Sequence, residues 1–280
     1  MLKRTLRENN LSETTALLDQ LGDVLGPCEK LAVAFSGGVD SSVVVAAAVR
    51  TLGVDNVLAV TAVSETFPKR ELTEAQDLAR SLAVRHETIE TRELDNEEFC
   101  ANTSNRCYHC KSELWQRVAT VAADNGITAV ADGVNADDSS DFRPGIRAGD
   151  EAGVLHPLAM VGATKGQVRA LARELGLDNW DKPAEACLSS RFPYGNRITA
   201  EGLRRVEQAE EFLRGIGIRQ LRVRDHDGVA RIEVPAGNLA ELASGTEREE
   251  IVRALKGFGF IYVTIDLEGF RSGSMNEVLP

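Results

Sequence analysis

Lys30-Leu31-Ala32-Val33-Ala34-Phe35-Ser36-Gly37-Gly38-Val39-Asp40-Ser41-Ser42 is the stretch that decides the fold. The apolar run 30–35 reads as a short buried strand, and the Val- and Ala-rich segment 41–52 as a helix. Between them, Gly37 and Gly38 let the backbone approach a ligand with no Cβ in the way. Ser36, Ser41 and Ser42 add hydroxyl donors, and the helix start adds unpaired N–H groups and the positive end of its dipole. The combination is an anion site at a helix N-terminus. It is not the GxxxxGK[ST] loop, because no Lys follows the glycines. Asp40 is out of place beside a bare phosphate. It makes sense if Mg²⁺ sits on a bound pyrophosphate, since hard cations take oxygen ligands. A lone Ser-Gly-Gly would signify only a tight, capped turn; the strand before it and the helix after it favour the ligand site.

Outward from this loop, strands and amphipathic helices alternate. Leu17, Leu18, Leu21 and Leu25 recur at helical spacing over 11–26. Strands are expected at 57–63, 85–89 and 129–133, and helices at 69–83, 112–125 and 165–175, the last two closed by Gly126 and Gly176. This order predicts an α/β fold, a doubly wound parallel sheet covered on both faces. Ligands in such sheets sit at the carboxyl ends of the strands. The polar segments 36–40, 64–68 and 132–141 fall there, which makes Ser64 and Gly133 candidate nucleotide contacts beside Ser36, Gly37, Gly38, Asp40, Ser41 and Ser42. Beyond residue 197 the pattern changes to a helix over 201–215, a hairpin over 221–234 turning at His226-Asp227-Gly228, a helix over 246–255 and a strand over 260–267. The expected domains are therefore 1–196 and a smaller α+β domain over 197–280.

The chain has 280 residues, 43% of them hydrophobic and 27% charged, the composition of a soluble globular protein. No apolar run is long enough to span a bilayer, and the basic start lacks a signal peptide's apolar core, so a cytoplasmic location is expected. The net charge of −11 argues against a nucleic-acid partner, because such binding rests on cation–phosphate contacts. Five cysteines, Cys28, Cys100, Cys107, Cys110 and Cys187, do not form a disulfide framework of the secreted kind. Cys107-Tyr108-His109-Cys110 has the spacing by which two thiolates chelate one metal centre; an incidental pair at a helix start is the competing reading. Without a second CxxC, a Cys₄ zinc site is unsupported, and His109 reads as a surface residue. Cys187 lies in a turn-rich segment beside Arg191. A cation there favours the nucleophilic thiolate, while an inert buried cysteine is the commoner fate.

The segment 34–42 resembles the PP-loop of the N-type ATP pyrophosphatases, which split ATP between its α and β phosphates, adenylate a substrate and release pyrophosphate. One branch is matched nearly end to end, the ATP-dependent sacrificial sulfur transferases of the LarE kind. The resemblance rests on the loop, on Asn105-Arg106-Cys107-Tyr108-His109-Cys110-Lys111, and on Gly133-Val134-Asn135-Ala136-Asp137-Asp138 with Asp141-Phe142-Arg143-Pro144-Gly145. It extends through Ala186-Cys187-Leu188-Ser189-Ser190-Arg191 and Leu267-Glu268-Gly269-Phe270-Arg271-Ser272-Gly273-Ser274-Met275-Asn276. It implies adenylation of a carboxylate of pyridinium-3,5-biscarboxylic acid mononucleotide and its conversion to a thiocarboxylate, on the way to the nickel-pincer nucleotide. In the sacrificial form, the counterpart of Cys187 donates its own sulfur. The trio Cys107, Cys110 and Cys187 departs from that form and resembles members with a [4Fe-4S] cluster whose open iron carries the sulfur, supplied by sulfide or a donor protein. The resemblance also implies a hexameric homo-oligomer and a substrate-phosphate site among C-terminal arginines.

Asp40 and Cys187 are thus the expected catalytic residues. Asp138, Ser190, Arg191, Arg222 and Arg224 are the expected substrate contacts. Arg191 could pair with a phosphate bidentately, and Arg222 and Arg224 share a strand face by their period of two; plain surface arginines are the alternative. Asp137, Asp138 and Asp141 form an acidic group, either a solvated loop or a Mg²⁺- or substrate-positioning one. Trp115 and Trp180 read as packing residues. Three other functions remain open. A tRNA thiolase would respond to tRNA. An ammonia-using adenylating synthetase would tolerate loss of Cys187. A nucleotide-binding regulator would release no pyrophosphate.

Overall fold

The protein is described from a computed structural model covering residues 2–140, 144–183, 185–271 and 274–277. In chain order its elements are α1 (Leu2–Leu25), β1 (Leu31–Ala34), α2 (Val39–Leu52), β2 (Val57–Val63), α3 (Lys69–Ser81), β3 (Arg85–Glu90), α4 (Glu97–Cys100), α5 (Arg106–Asp124) and β4 (Ala129–Ala131). They continue with α6 (Pro144–Glu151), α7 (Pro157–Met160), α8 (Lys165–Glu174), α9 (Ala200–Gly215), β5 (Arg222–His226), β6 (Val229–Glu233), α10 (Leu239–Ser244), α11 (Arg248–Gly257) and β7 (Tyr262–Ile265).

Two units make up the chain. The first comprises Met1–Ser64, Lys69–Thr91 and Cys107–Glu185. Its sheet has the order β3-β2-β1-β4, and every pairing is parallel. The period of two along the strands accounts for burial on both faces. Leu31 and Val33 of β1, with Val57 and Ala59 of β2, join one apolar cluster with α1, α2, α3 and α8. Ala32, Leu58 and Val60 point the other way, onto Leu114, Trp115, Val118 and Ala122 of α5. The doubly wound α/β reading of the sequence therefore holds. Leu17, Leu18, Leu21 and Leu25 are all buried in the first cluster, and Trp180 packs against it.

The second unit comprises Glu65–Pro68, Arg92–Arg106 and Ala186–Pro280. Its sheet has the order β5-β6-β7, with β5 antiparallel and β7 parallel to β6. Asp227 and Gly228 join β5 to β6 with φ of 52° and 86°, the left-handed pair that a two-residue hairpin turn requires. The division departs from the expected boundary after residue 196. The segment 186–196 and two earlier excursions, 65–68 and 92–106, join the C-terminal unit. Asn102 shows why. Its Nδ2 donates to the carbonyls of Phe192, Pro193 and Asn196, a tie between distant positions that leaves no local sequence pattern.

α5 also begins earlier than its expected start at 112. Its first turns bury no apolar side chain until Leu114, so hydrophobic periodicity is silent there. Among the described residues, no helix is long and apolar enough to cross a membrane.

Candidate active site

The loop after β1 is built from its own hydroxyls. Ser36 N–H reaches Ser41 Oγ at 3.3 Å, and Gly38 N–H reaches Ser36 Oγ at 3.3 Å. Ser41 Oγ and Ser42 Oγ both donate to the Gly38 carbonyl, at 3.1 and 2.7 Å. Gly37 has φ +70°, and a Cβ there would lie 3.0 Å from the Cα of Ala75. Both conformation and space therefore require glycine. Gly38 is the N-cap of α2 and supplies no side-chain cap, whereas Thr164 and Thr199 cap α8 and α9 with their hydroxyls. The first turn of α2 thus carries no side-chain cap from its N-cap residue.

Gly133, after β4, closes the other side of this turn. A Cβ there would stand 2.6 Å from Ser41 N and 2.9 Å from the Asp40 carbonyl carbon. Ser64 follows the last residue of β2. Ser36, Ser64 and Gly133 therefore lie past the carboxyl ends of β1, β2 and β4, neighbouring strands of one parallel sheet, where ligands of such sheets sit.

The Asp40 carboxylate is half-buried. It is ion-paired to Lys165 at the start of α8, and it accepts from Asn135 Nδ2 at 3.3 Å. Asn179 Nδ2 donates to the Gly37 carbonyl and to Ser42 Oγ, both at 3.0 Å. Lys165, Asn135 and Asn179 went unassigned in the sequence reading. Their partners lie 95 to 142 positions away, and only the fold brings them together.

Behind Gly133, Asp132 Oδ1 accepts from Val134 N at 3.0 Å and pairs with His156 Nδ1 at 2.7 Å. The hydrogen bond to Asp132 raises the His156 pKa above 6.5; burial opposes it, and the charges of Asp132 and Asp150 add to it. Asp138 accepts from Asn135 N at 3.1 Å, and Asp137 accepts from Lys165 N at 2.8 Å. These contacts tie the acidic segment into the turn that holds Asp40. Asp141, the third acid of that group, lies outside the described residues.

In the second unit, Cys187 is exposed and precedes a short 3₁₀ turn, Leu188–Arg191. Arg191 is fully buried. Its Nε and Nη2 pair with the Glu210 carboxylate at 2.8 and 2.9 Å, and its Nη1 reaches the Ala186 and Cys187 carbonyls and Ser190 Oγ. Burial alone would raise the Glu210 pKa; the charges of Arg191, Arg214 and Arg222 and the Arg191 hydrogen bonds outweigh it and lower it. Arg224 is similarly paired with Glu233 at 3.0 and 2.8 Å and donates to the Ser190 carbonyl at 2.8 Å. Arg222 donates to the Leu221 carbonyl and lies over the Phe270 ring. These arginines are buried, unlike residues of an open surface strand, and protein groups engage the guanidiniums expected to meet a phosphate.

Cys107 and Cys110 are half-buried in the first turns of α5, three positions apart and hence on one helix face. None of the three candidate ligand thiols is in a disulfide. Among the described residues, no three His, Cys, Asp or Glu side chains come together as a metal site. Cys28 and Cys100 have pKa values raised chiefly by burial, the signature of packing cysteines.

Comparison with known proteins bears on this arrangement. A family model described as NAD synthase matches residues 13–120, which hold the loop 36–42. A pyridinium-3,5-bisthiocarboxylic acid mononucleotide synthase of Lactiplantibacillus plantarum is 42% identical over 251 residues, 90% of this chain and 90% of that protein. The chain belongs to that synthase family. An uncharacterized Synechocystis protein, 45% identical, matches 94% of this chain and 97% of its own length. The argininosuccinate synthase of Methanopyrus kandleri is 32% identical over 53% of this chain and 41% of that enzyme. The kinship expected from the motifs therefore holds for the synthase family along nearly the whole chain, and the loop 36–42 is its PP-loop.

Proposed function

We propose that this protein is an ATP-dependent sulfur insertase acting on pyridinium-3,5-biscarboxylic acid mononucleotide. A substrate carboxylate oxygen attacks the α-phosphorus of ATP, the bond to the β-phosphate oxygen breaks, and pyrophosphate leaves. A sulfur nucleophile then adds to the acyl carbon, AMP departs with the carboxylate oxygen, and a thiocarboxylate results. The near full-length similarity to the synthase carries this reading.

The uncapped start of α2, with Ser36, Gly37, Gly38, Ser41 and Ser42, cradles the β and γ phosphates as they become pyrophosphate. Ser64 and Gly133 flank the nucleotide. The Asp40 carboxylate, a hard oxygen donor at the mouth of this anion site, fits a Mg²⁺ on the pyrophosphate, which when bound would neutralise the charge building on the leaving group. Asp138, Ser190, Arg191, Arg222 and Arg224 stand as the substrate residues, the arginines by shaping the unit that receives the mononucleotide.

By donor chemistry, Cys107, Cys110 and Cys187 are the soft thiolates that would hold an iron–sulfur cluster. When bound, that group supplies a labile sulfide, so that sulfur need not be taken from Cys187. Sulfide or a donor protein would replenish it. Anaerobic reconstitution tests this part. Iron and sulfide at about four each per chain, with Cys187 intact after repeated turnover, support it. Loss of the elements of H₂S from the Cys187 peptide after one turnover points to sacrifice instead.

A further inference from the structure

The backbone around Cys187 is held in an unusual way. Arg191 Nη1 donates to the Ala186 and Cys187 carbonyls at 2.7 and 3.1 Å. Arg106 Nη1 donates to the Ser189 carbonyl at 3.0 Å. Arg224 Nη1 donates to the Ser190 carbonyl at 2.8 Å. Thus three buried guanidiniums take up four of the five carbonyls over 186–190, and the Leu188 N–H is bound to the Thr66 carbonyl at 2.9 Å. Charge-assisted hydrogen bonds of this kind are the stronger ones. All of these run to main-chain oxygens, and none uses the Cys187 side chain.

Arg191 and Arg224 are each forked onto a carboxylate, Glu210 and Glu233. Arg106 Nη1 is also bound to Asn102 Oδ1, at 2.6 Å. Asn102 is fully buried in a left-handed conformation, φ 52°, and its amide holds the carbonyls of the turn that follows Arg191. Asn102 therefore ties the chain on both sides of Arg191, Ser189 through its oxygen and Arg106, and the 192–196 turn through its nitrogen.

We infer that Arg106 is a positioning residue for Cys187: with Asn102 it holds the cysteine segment by its main chain, so the segment keeps its shape whatever happens to the sulfur. The inference rests on the reading that Cys187 takes part in sulfur delivery. It has two consequences. Alteration of Cys187, including loss of its sulfur, leaves the segment folded. Loss of the Arg106 contact misplaces the thiol while the adenylating loop, built in the other unit, keeps working.

The test uses Arg106→Gln and Arg106→Lys in the full chain, with three readouts. These are pyrophosphate release, thiocarboxylate formation, and the rate at which iodoacetamide alkylates Cys187, followed by peptide mass. Arg106→Gln is expected to keep pyrophosphate release within about twofold and to lower thiocarboxylate formation about 10- to 100-fold, the scale of an ångström-sized misplacement. The Cys187 alkylation rate should shift as well. Arg106→Lys, which still offers one cationic donor, should restore part of the yield. Wild-type yield and alkylation rate in Arg106→Gln would overturn the inference. So would a parallel fall of pyrophosphate release, yield and melting temperature with no rescue by Lys, which marks a purely structural residue. If the wild-type protein forms no thiocarboxylate, the proposed function fails. The alkylation readout still decides whether Arg106 positions Cys187.

Discussion

Gly133 lies so close to Ser41 that a methyl group on it would come within 2.6 Å of the Ser41 nitrogen. The obstruction is main chain, at the first turn of α2, where we propose that the phosphates bind, so no side-chain rotation relieves it. Gly133→Ala is expected to cost about 1–3 kcal/mol through overpacking and to raise the KM for ATP. Urea denaturation and a pyrophosphate-release assay check the two effects.

Asp40 and Lys165 separate stability from activity. Their ion pair is only partly buried, with side chains 24% and 31% exposed, so it contributes at most about 1 kcal/mol. Asp40→Asn keeps the shape and removes the charge that would meet Mg²⁺. We expect a melting temperature close to wild type, a large fall in pyrophosphate release and weaker Mg²⁺ dependence. Titrating Mg²⁺ at saturating ATP provides the measurement.

Arg191 should behave as a structural cation. Removing its guanidinium leaves the Glu210 carboxylate buried without its bidentate partner, a loss of about 3–5 kcal/mol. Arg191→Ala is therefore expected to fall in denaturant stability as well as in activity. A residue that only bound substrate phosphate would raise KM and leave the denaturation midpoint unchanged.

His156 sets a pH dependence. Its folded pKa lies above 6.5, chiefly through the hydrogen bond to Asp132. The protonated form is thus favoured by folding. The stability it contributes is complete below the unfolded pKa and is lost as pH rises through the folded value. Stability should decline on the alkaline side of about pH 6.5, and His156→Gln should flatten that part of the profile. Thermal melts from about pH 6 upward check this.

How much of this was readable in the chain follows from the range of the interactions. Strand β1, the Ser-Gly-Gly turn and α2 are contiguous, and the buried strand Val57–Val63 stands where its apolar run places it. Gly133 stands just past the end of β4, as its position after an apolar run places it, whereas its closeness to Ser41 leaves no local signal. Local signals failed where partners are remote. Lys165 meets Asp40 across 125 positions, and Arg106 meets Ser189 across 83. The unit boundary was misplaced for the same reason: Asn102 binds the 192–196 turn with no periodicity to announce it. The burial of Arg222 and Arg224 was not legible, because β-alternation says which residues share a face, not which face is buried.

The most direct test of sulfur insertion is anaerobic mass spectrometry of the pyridinium mononucleotide after incubation with the protein, ATP, Mg²⁺ and sulfide. The account predicts a product in which sulfur replaces a carboxylate oxygen, one pyrophosphate for each sulfur inserted, and no product from Cys187→Ser. Unchanged mononucleotide with pyrophosphate released only on adding tRNA or ammonia would contradict it, as would full product yield from Cys187→Ser.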